Sequence, residues 1–213
     1  MFITFEGLDF CGKSTQVELL KDYLVKKNRK VNILREPGGA IISEKIREIL
    51  LDKKNSKMTM ETELLLFSAS RSQLVREIII PQLNQGYYVI SDRFHDSTTA
   101  YQGYGRGVPL NFVESLNKFV IQNALPDITF FIDIPVDEVV RRKSKIDLFE
   151  LDRIELSKSG FYEKVRDGYL EISKSEDRFF TINGAASINE IHHMIISRIE
   201  DLKEQEKVSD EKI

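Results

Sequence analysis

Residues 5–15 read Phe-Glu-Gly-Leu-Asp-Phe-Cys-Gly-Lys-Ser-Thr: a glycine, four residues, then Gly12-Lys13-Ser14. The apolar run FITFE precedes them, and KSTQVELLKDYLVKKN follows, with Val17, Leu20 and Leu24 at helical spacing and a lysine-rich end that suits a helix C-terminus. A strand that passes through glycines directly into a helix is the unit of an α/β fold, and it supplies the context that the G-x-x-x-x-G-K-[ST] pattern requires. In such a loop, Gly7, Leu8, Asp9, Phe10, Cys11, Gly12, Lys13, Ser14 and Thr15 are the candidate nucleotide-binding residues. Their backbone N–H groups converge on phosphate oxygens, Lys13 reaches the terminal phosphates, and the Ser14 hydroxyl can ligate Mg2+.

The rest of the chain repeats the alternation. KVNILRE is a second strand stopped by Pro37-Gly38-Gly39, and helices are expected at about 41–52 and 61–84. Then come the strand YYVISD, the helix NFVESLNKFVIQNAL, the strand ITFFIDI and the helix VDEVVRRKS. A charged stretch at about 144–157 has no apolar period, and a helix near 160–175, the strand RFFTI and an amphipathic helix from about 187 complete the reading. This order predicts a parallel sheet covered on both faces, with ligands bound beyond the carboxyl ends of the strands. The unusual residues fall at those ends: the glycine loop, REPGG after the second strand, and DRFHDSTTAYQGYGRG after the third.

With 213 residues, 41% of them hydrophobic and 31% charged, the chain suits one sizeable domain, expected over 1–205, with a charged tail at 206–213 that frays. The net charge of −3 gives no general pull toward nucleic acid or a membrane surface. Cys11, the single cysteine, cannot form an internal disulfide, and MFITFEG is neither a basic leader nor a long apolar segment, so a cytoplasmic protein is expected. A guanine-reading N-K-x-D segment would mark a switch protein; the nearest string, NKFV at 117–120, lacks the acid. The switch remains a minor alternative.

Taken together, FEGLDFCGKST, REPGG, FSASRSQL, DRFHDSTTAYQGYGRG and LDRIE resemble, in order from about residue 2 to about residue 200, the thymidylate kinases, which pass a phosphoryl group from ATP to dTMP on the way to dTTP. The resemblance implies a three-layer P-loop NTPase fold with a five-stranded parallel sheet, flanking helices and a small lid at about 142–157. It also implies ATP and Mg2+ as cofactors, dTMP as acceptor, and commonly a homodimer. An acid inside the glycine loop would repel the phosphates held there. In the family it lies near the acceptor's sugar, so Asp9 marks a second substrate beside the ATP phosphates.

The resemblance assigns further acceptor contacts. Phe67 would stack on thymine and Arg71, four residues on and on the same helical face, would donate to its exocyclic oxygen. Ser97 and Gln102 are candidate base or sugar contacts, and Tyr101 would pack where a ribose 2′-hydroxyl would go. Arg35 and Arg47 belong on the acceptor side, Arg47 at its phosphate. Asp92 would orient a Mg2+-bound water, and Arg93 would bridge the acceptor and donor phosphates. Some relatives carry a catalytic arginine within the glycine loop; Leu8 to Cys11 contains no basic residue. The expectation passes to the lid, where Arg153 matches a phosphate-side arginine and Arg142 a position stacked over adenine, with Lys145 able to share either role. The expected catalytic set is therefore Lys13, Asp92, Arg93 and Arg153. Beside Lys13 and a helix N-terminus, Cys11 is expected to be open to modification.

Overall fold

The computed structural model of the chain describes residues 1–147 and 150–210, with 205–210 described as backbone. The β-branched and aromatic runs form strands β1 (Phe2–Glu6), β2 (Val31–Arg35), β3 (Tyr88–Asp92), β4 (Ile128–Asp133) and β5 (Phe179–Asn183). They make one parallel sheet in the order β2-β3-β1-β4-β5. The helices are α1 (Lys13–Lys26), α2 (Ile41–Leu51), α3 (Met60–Leu74), α4 (Ile80–Asn84), α5 (His95–Thr98), α6 (Leu110–Ile121), α7 (Val136–Lys143), α8 (Ser159–Ser175) and α9 (Ile188–Asp210). Side chains alternate across β1 and feed both faces. Ile3 and Phe5 pack with Val17, Leu20 and Leu24 of α1 and Ile191, Ile195 and Ile199 of α9, whereas Phe2 packs with Leu74, Val75, Ile79, Phe94 and Val120.

Two segments depart from the sequence expectation. The helix expected over 61–84 is continuous but widens into a π turn at Val75–Ile79, where the Ile80 N–H reaches back to the Val75 carbonyl. Pro81 has no N–H to donate, and the wider turn carries the chain past it. Residues 95–105, for which the sequence suggests no helix, are helical: α5 continues into a π helix at Thr99–Gly105. This segment lies directly against α8. A Cβ on Gly105 would stand 2.7 Å from the Phe161 ring, and one on Gly168 2.7 Å from Tyr104. Neither contact leaves room for a methyl group.

The sheet order sets the site. From β1 the chain crosses to the edge strand β2, returns to β3 beside β1, and continues to β4 on β1's other side, so a crevice opens past the strand ends. Asp92 is level with both Phe5 and Arg35, and the Arg93 N–H donates to the Phe5 carbonyl at 3.0 Å. The glycine loop, Arg35 and the Asp92-Arg93 pair therefore meet at one edge. Of the expected lid, residues 148 and 149 lie outside the described residues, and so do residues 211–213 of the expected tail. Among the described residues no helix is long and apolar enough to cross a membrane.

Candidate active site

The glycine loop leaves β1 through Gly7 at φ 140° and enters α1 through Gly12 at φ 100°. At Gly7 a Cβ would lie 2.5 Å from the Ile132 carbonyl oxygen, so both the turn and the close packing require glycine. Phe10, also at positive φ, turns the loop between them. Lys13 folds back over the loop, its Nζ donating to the carbonyls of Gly7 (3.2 Å) and Leu8 (2.8 Å). The Ser14 hydroxyl donates to Asp92 Oδ2 at 2.7 Å. Beside this loop a cleft of about 620 Å³ opens, lined among others by Lys13, Ser14, Asp92, Arg93, Phe67 and Arg71.

Asp9 and Arg93 tie the glycine loop to the segment after β3. Arg93 Nη2 donates to Asp9 Oδ1 at 2.5 Å and to the Tyr101 hydroxyl at 3.1 Å, with the guanidinium 4.9 Å over the Tyr101 ring. Arg93 Nη1 donates to the Gly7 carbonyl (2.9 Å), Ser97 Oγ (3.1 Å) and the Tyr169 hydroxyl (3.2 Å). The hydroxyls of Tyr101 and Tyr162 donate to Asp9 Oδ2 at 3.2 and 3.0 Å. Burial works to raise the Asp9 carboxyl, but Arg93 and Lys13 outweigh it and hold the group below its ordinary range. Asp9 is thus an anion with its charge already balanced.

Arg71 is 1% exposed. Its Nε donates to Glu36 at 2.6 Å, Nη1 to Thr98 Oγ1 at 2.8 Å and Nη2 to the Phe94 carbonyl at 3.1 Å. Three partners from two segments fix the plane of the guanidinium at the cleft wall. Burial pushes the Glu36 carboxyl up to about 7 against the pull of Arg71. Gln102 donates to Glu63 at 2.9 Å, and the Ser97 hydroxyl donates to Glu6 and stands 2.9 Å from the Tyr169 hydroxyl behind Arg93. Arg47 donates to the Pro37 carbonyl at 2.7 Å, and burial and the neighbouring Arg35 lower its pKa. Arg35 makes an exposed ion pair with Glu44.

The structure gathers Asp9, Phe10, Gly12, Lys13, Ser14 and Thr15 of the loop around this cleft, with Arg35, Arg47, Phe67, Arg71, Asp92, Arg93, Ser97, Tyr101 and Gln102. It places the two lid arginines elsewhere. Arg142 Nη1 donates to the Phe10 carbonyl at 2.9 Å and Nη2 to the Gly184 carbonyl at 3.3 Å. Arg153 is 11% exposed on its side chain, its Nη2 2.7 Å from Glu63 Oε2 and its Nε donating to the Leu50 carbonyl at 2.8 Å. Its neighbours Asp152, Ile154 and Glu155 face the cleft instead. Cys11 is 2% exposed, which runs against the expectation of an open thiol: a buried cysteine of this kind is inert.

Sequence reasoning missed Glu6, Glu36, Glu63, Tyr162 and Tyr169. Glu36 stood inside the quoted REPGG, and a glutamate ending an apolar strand at Glu6 was a visible anomaly. The two tyrosines and Glu63 carried no local signal, because each fits an ordinary helical pattern.

A family model described as thymidylate kinase matches residues 5–195. The thymidylate kinase of Thermosipho africanus is 50% identical over 94% of this chain and 98% of its own length, and that of Chlorobium luteolum 49% identical over 96% and 100%. The crystal structure of thymidylate kinase from Ehrlichia chaffeensis superimposes with a TM-score of 0.76 at 39% identity, covering 94% of this chain and 98% of that one. With sheet order, glycine loop and near full-length identity in agreement, the chain belongs to the thymidylate kinase family.

Proposed function

We propose that this protein transfers the γ-phosphoryl group of ATP to dTMP, giving ADP and dTDP, as one cytoplasmic domain with a small lid over about 142–157. The observation that carries the reading is the Asp9–Arg93 pair, which links the glycine loop to the segment after β3 whose Phe94 and Thr98 hold Arg71, within one cleft. Two anionic substrates can then lie end to end with Arg93 between them. Turnover in a coupled ADP-release assay with dTMP, compared with dUMP, dCMP and AMP, tests it; equal rates with every acceptor, or hydrolysis independent of acceptor, would overturn it.

In this reaction the bond between the γ-phosphorus and its bridging oxygen breaks, and an oxygen of the dTMP phosphate bonds to that phosphorus. The acceptor's second pKa is about 6, so it is largely dianionic at neutral pH and needs no general base. The chain's task is to bring two anions together and to neutralise charge as it spreads over the transferring group. Lys13 and the backbone of residues 7–15 hold the donor phosphates, Arg93 spans donor and acceptor, and Arg47 and Arg35 hold the acceptor phosphate. Ser14 Oγ and Asp92 Oδ2, 2.7 Å apart, are hard oxygen donors that suit Mg2+, which takes one or two protein oxygens and completes its shell with phosphate and water. Held there, the ion would supply charge neutralisation at the donor phosphates.

Phe67 offers a face to the base, and Arg71, held on three sides, offers its remaining N–H groups to a carbonyl. Arg71→Ala should lower kcat/KM for dTMP by about 1–3 kcal/mol, the cost of an unpaired buried polar group. An unchanged kcat/KM in steady-state kinetics would remove Arg71 from the site.

The proposed assembly is a homodimer through α2, α3 and α6. These helices pack side by side and leave Ile41, Leu65, Phe112 and Phe119 exposed, Phe119 by 72%. Phe112 and Phe119 are seven residues apart and share a face of α6. Phe119→Glu should weaken a dimer by about 2 kcal/mol or more, as expected for a central aromatic anchor. Sedimentation velocity over a concentration series checks this, and an unshifted dimer would move the interface elsewhere.

A further inference from the structure

Behind Arg93 lies a fully buried carboxylate, Glu6, the last residue of β1. Oε1 accepts from the N–H of Phe94 at 2.7 Å and of Ser97 at 3.3 Å. Oε2 accepts from the Ser97 hydroxyl at 2.6 Å and the Tyr169 hydroxyl at 2.7 Å. Those two hydroxyl oxygens are the ones to which Arg93 Nη1 donates. We infer that Glu6 is the positioning residue for Arg93, fixing both the direction of its hydrogen bonds and the backbone on which it stands; this rests on the phosphoryl-transfer reading above.

The argument is one of polarity. A hydroxyl has one hydrogen, and if Glu6 takes the hydrogens of Ser97 and Tyr169, their lone pairs face Arg93, a group that can only donate. Burial and the nearby Asp96 push the Glu6 carboxyl up, while Arg93 and the hydrogen bonds from Ser97 and Tyr169 pull it down; in its ionised form all its oxygens accept, which enforces this polarity. The same residue acts on the main chain. Arg93 stands at φ 73°, a left-handed conformation unfavourable for a side chain of this type, and the Phe94 N–H bonded to Glu6 closes the turn directly after it. Desolvating a carboxylate this deeply is costly, and four donors offset that cost.

Glu6→Gln keeps size and shape and reverses the polarity. With its amide nitrogen toward Phe94 and Ser97, donor faces donor. Turned the other way, the amide donates to both hydroxyls; one of their hydrogens can go to the other hydroxyl, 2.9 Å away, and the second is left to turn toward Arg93. Either orientation disturbs Arg93: the first breaks the main-chain turn on which it stands, and the second turns at least one of its hydroxyl acceptors away. Glu6→Gln should lower kcat by about 10–100-fold, in the range of small misplacements of a reacting geometry, while KM for ATP and dTMP rises by less. Tyr169→Phe should lower kcat several-fold, and Glu6→Gln should cost less in that background, since one of the two hydroxyls to be reversed is gone.

The experiment is steady-state kinetics on wild type, both single variants and the double variant, with the 15N resonances of the Arg93 guanidinium recorded without substrates. Expected are a shift of those resonances in Glu6→Gln, a kcat loss exceeding the KM change, and coupling in the double variant. A kcat for Glu6→Gln within about twofold of wild type, purely multiplicative effects, or unmoved Arg93 resonances would overturn the inference. If Glu6→Gln does not fold, Tyr169→Phe decides, through the same resonances and kcat. Wild type lacking dTMP-dependent turnover would refute the proposed reaction; the resonance shift would still test the placement of Arg93.

Discussion

Arg93→Ala is expected to lower kcat by about 10³-fold or more, in the range measured for arginines that neutralise a transferring phosphoryl group. The guanidinium is preorganised to an unusual degree: Asp9, Tyr101, Ser97, Tyr169 and the Gly7 carbonyl all hold it, so no reorganisation is needed as charge develops. Contacts that strengthen in the transition state govern kcat more than ground-state affinity, so Kd for dTMP and for ATP should change much less. Arg93→Lys should recover part of the loss, because a lysine restores the charge without the planar fork that reaches several acceptors at once. The alanine variant also leaves Asp9 with Lys13 as its balancing charge, so circular dichroism and calorimetric titration should accompany the kinetics. A kcat within about tenfold of wild type would assign the neutralisation to Lys13 and the loop backbone.

Arg153→Ala carries the second large effect. The missing arginine in the glycine loop leads to the proposal that Arg153 supplies charge when the lid closes, which puts the expected fall in kcat at about 10³-fold at saturating ATP and dTMP. In the structure this arginine is committed elsewhere: it pairs with the buried Glu63, which also accepts from Gln102 and Arg106, and it holds the carbonyl at the end of α2. Reaching the phosphates requires exchanging Glu63 for them. The variant should therefore also lose about 1–3 kcal/mol of stability, the cost of unpairing a buried charged hydrogen bond. Glu63→Gln separates the two roles, since it loosens the anchor but keeps the arginine: its melting temperature should fall while kcat stays within several-fold of wild type. If Arg153→Ala melts early yet keeps near wild-type kcat, the residue is a tie between α2, α3 and the lid, and Arg93 with Lys13 suffices for chemistry.

Much of this was legible in one dimension because it is locally encoded. Gly7 and Gly12 are needed where they stand for conformational reasons that act within the loop, and Lys13, Ser14, Asp92 and Arg93 follow as the ends of strand-to-helix turns. The apolar periods of α1, α6 and α9 and the β-branched runs of β1 and β4 likewise report backbone state residue by residue. The helix at 95–105 was hidden because Thr98, Thr99, Gly103 and Gly105 have weak helical preference. Close packing on α8, possible because Gly105 and Gly168 lack side chains, overrides that preference.

Which charges meet was decided by the tertiary structure. Asp9 and Arg93 are 84 residues apart, Asp9 and Tyr162 153 apart, and Glu6 and Tyr169 163 apart. Their contacts follow from the register that sets Phe5 level with Asp92 and from the docking of α8 over the end of the sheet. Arg153 shows the difference most clearly. The sequence identifies a basic segment at the lid and the chemistry it could serve, but the partner of that side chain depends on where α3 carries Glu63. By itself the sequence determined the fold class, the phosphate-binding loop and the family resemblance, since these rest on short-range sterics and periodicity. The pairing of buried charges depends on desolvation, which a residue experiences only once distant segments have closed over it.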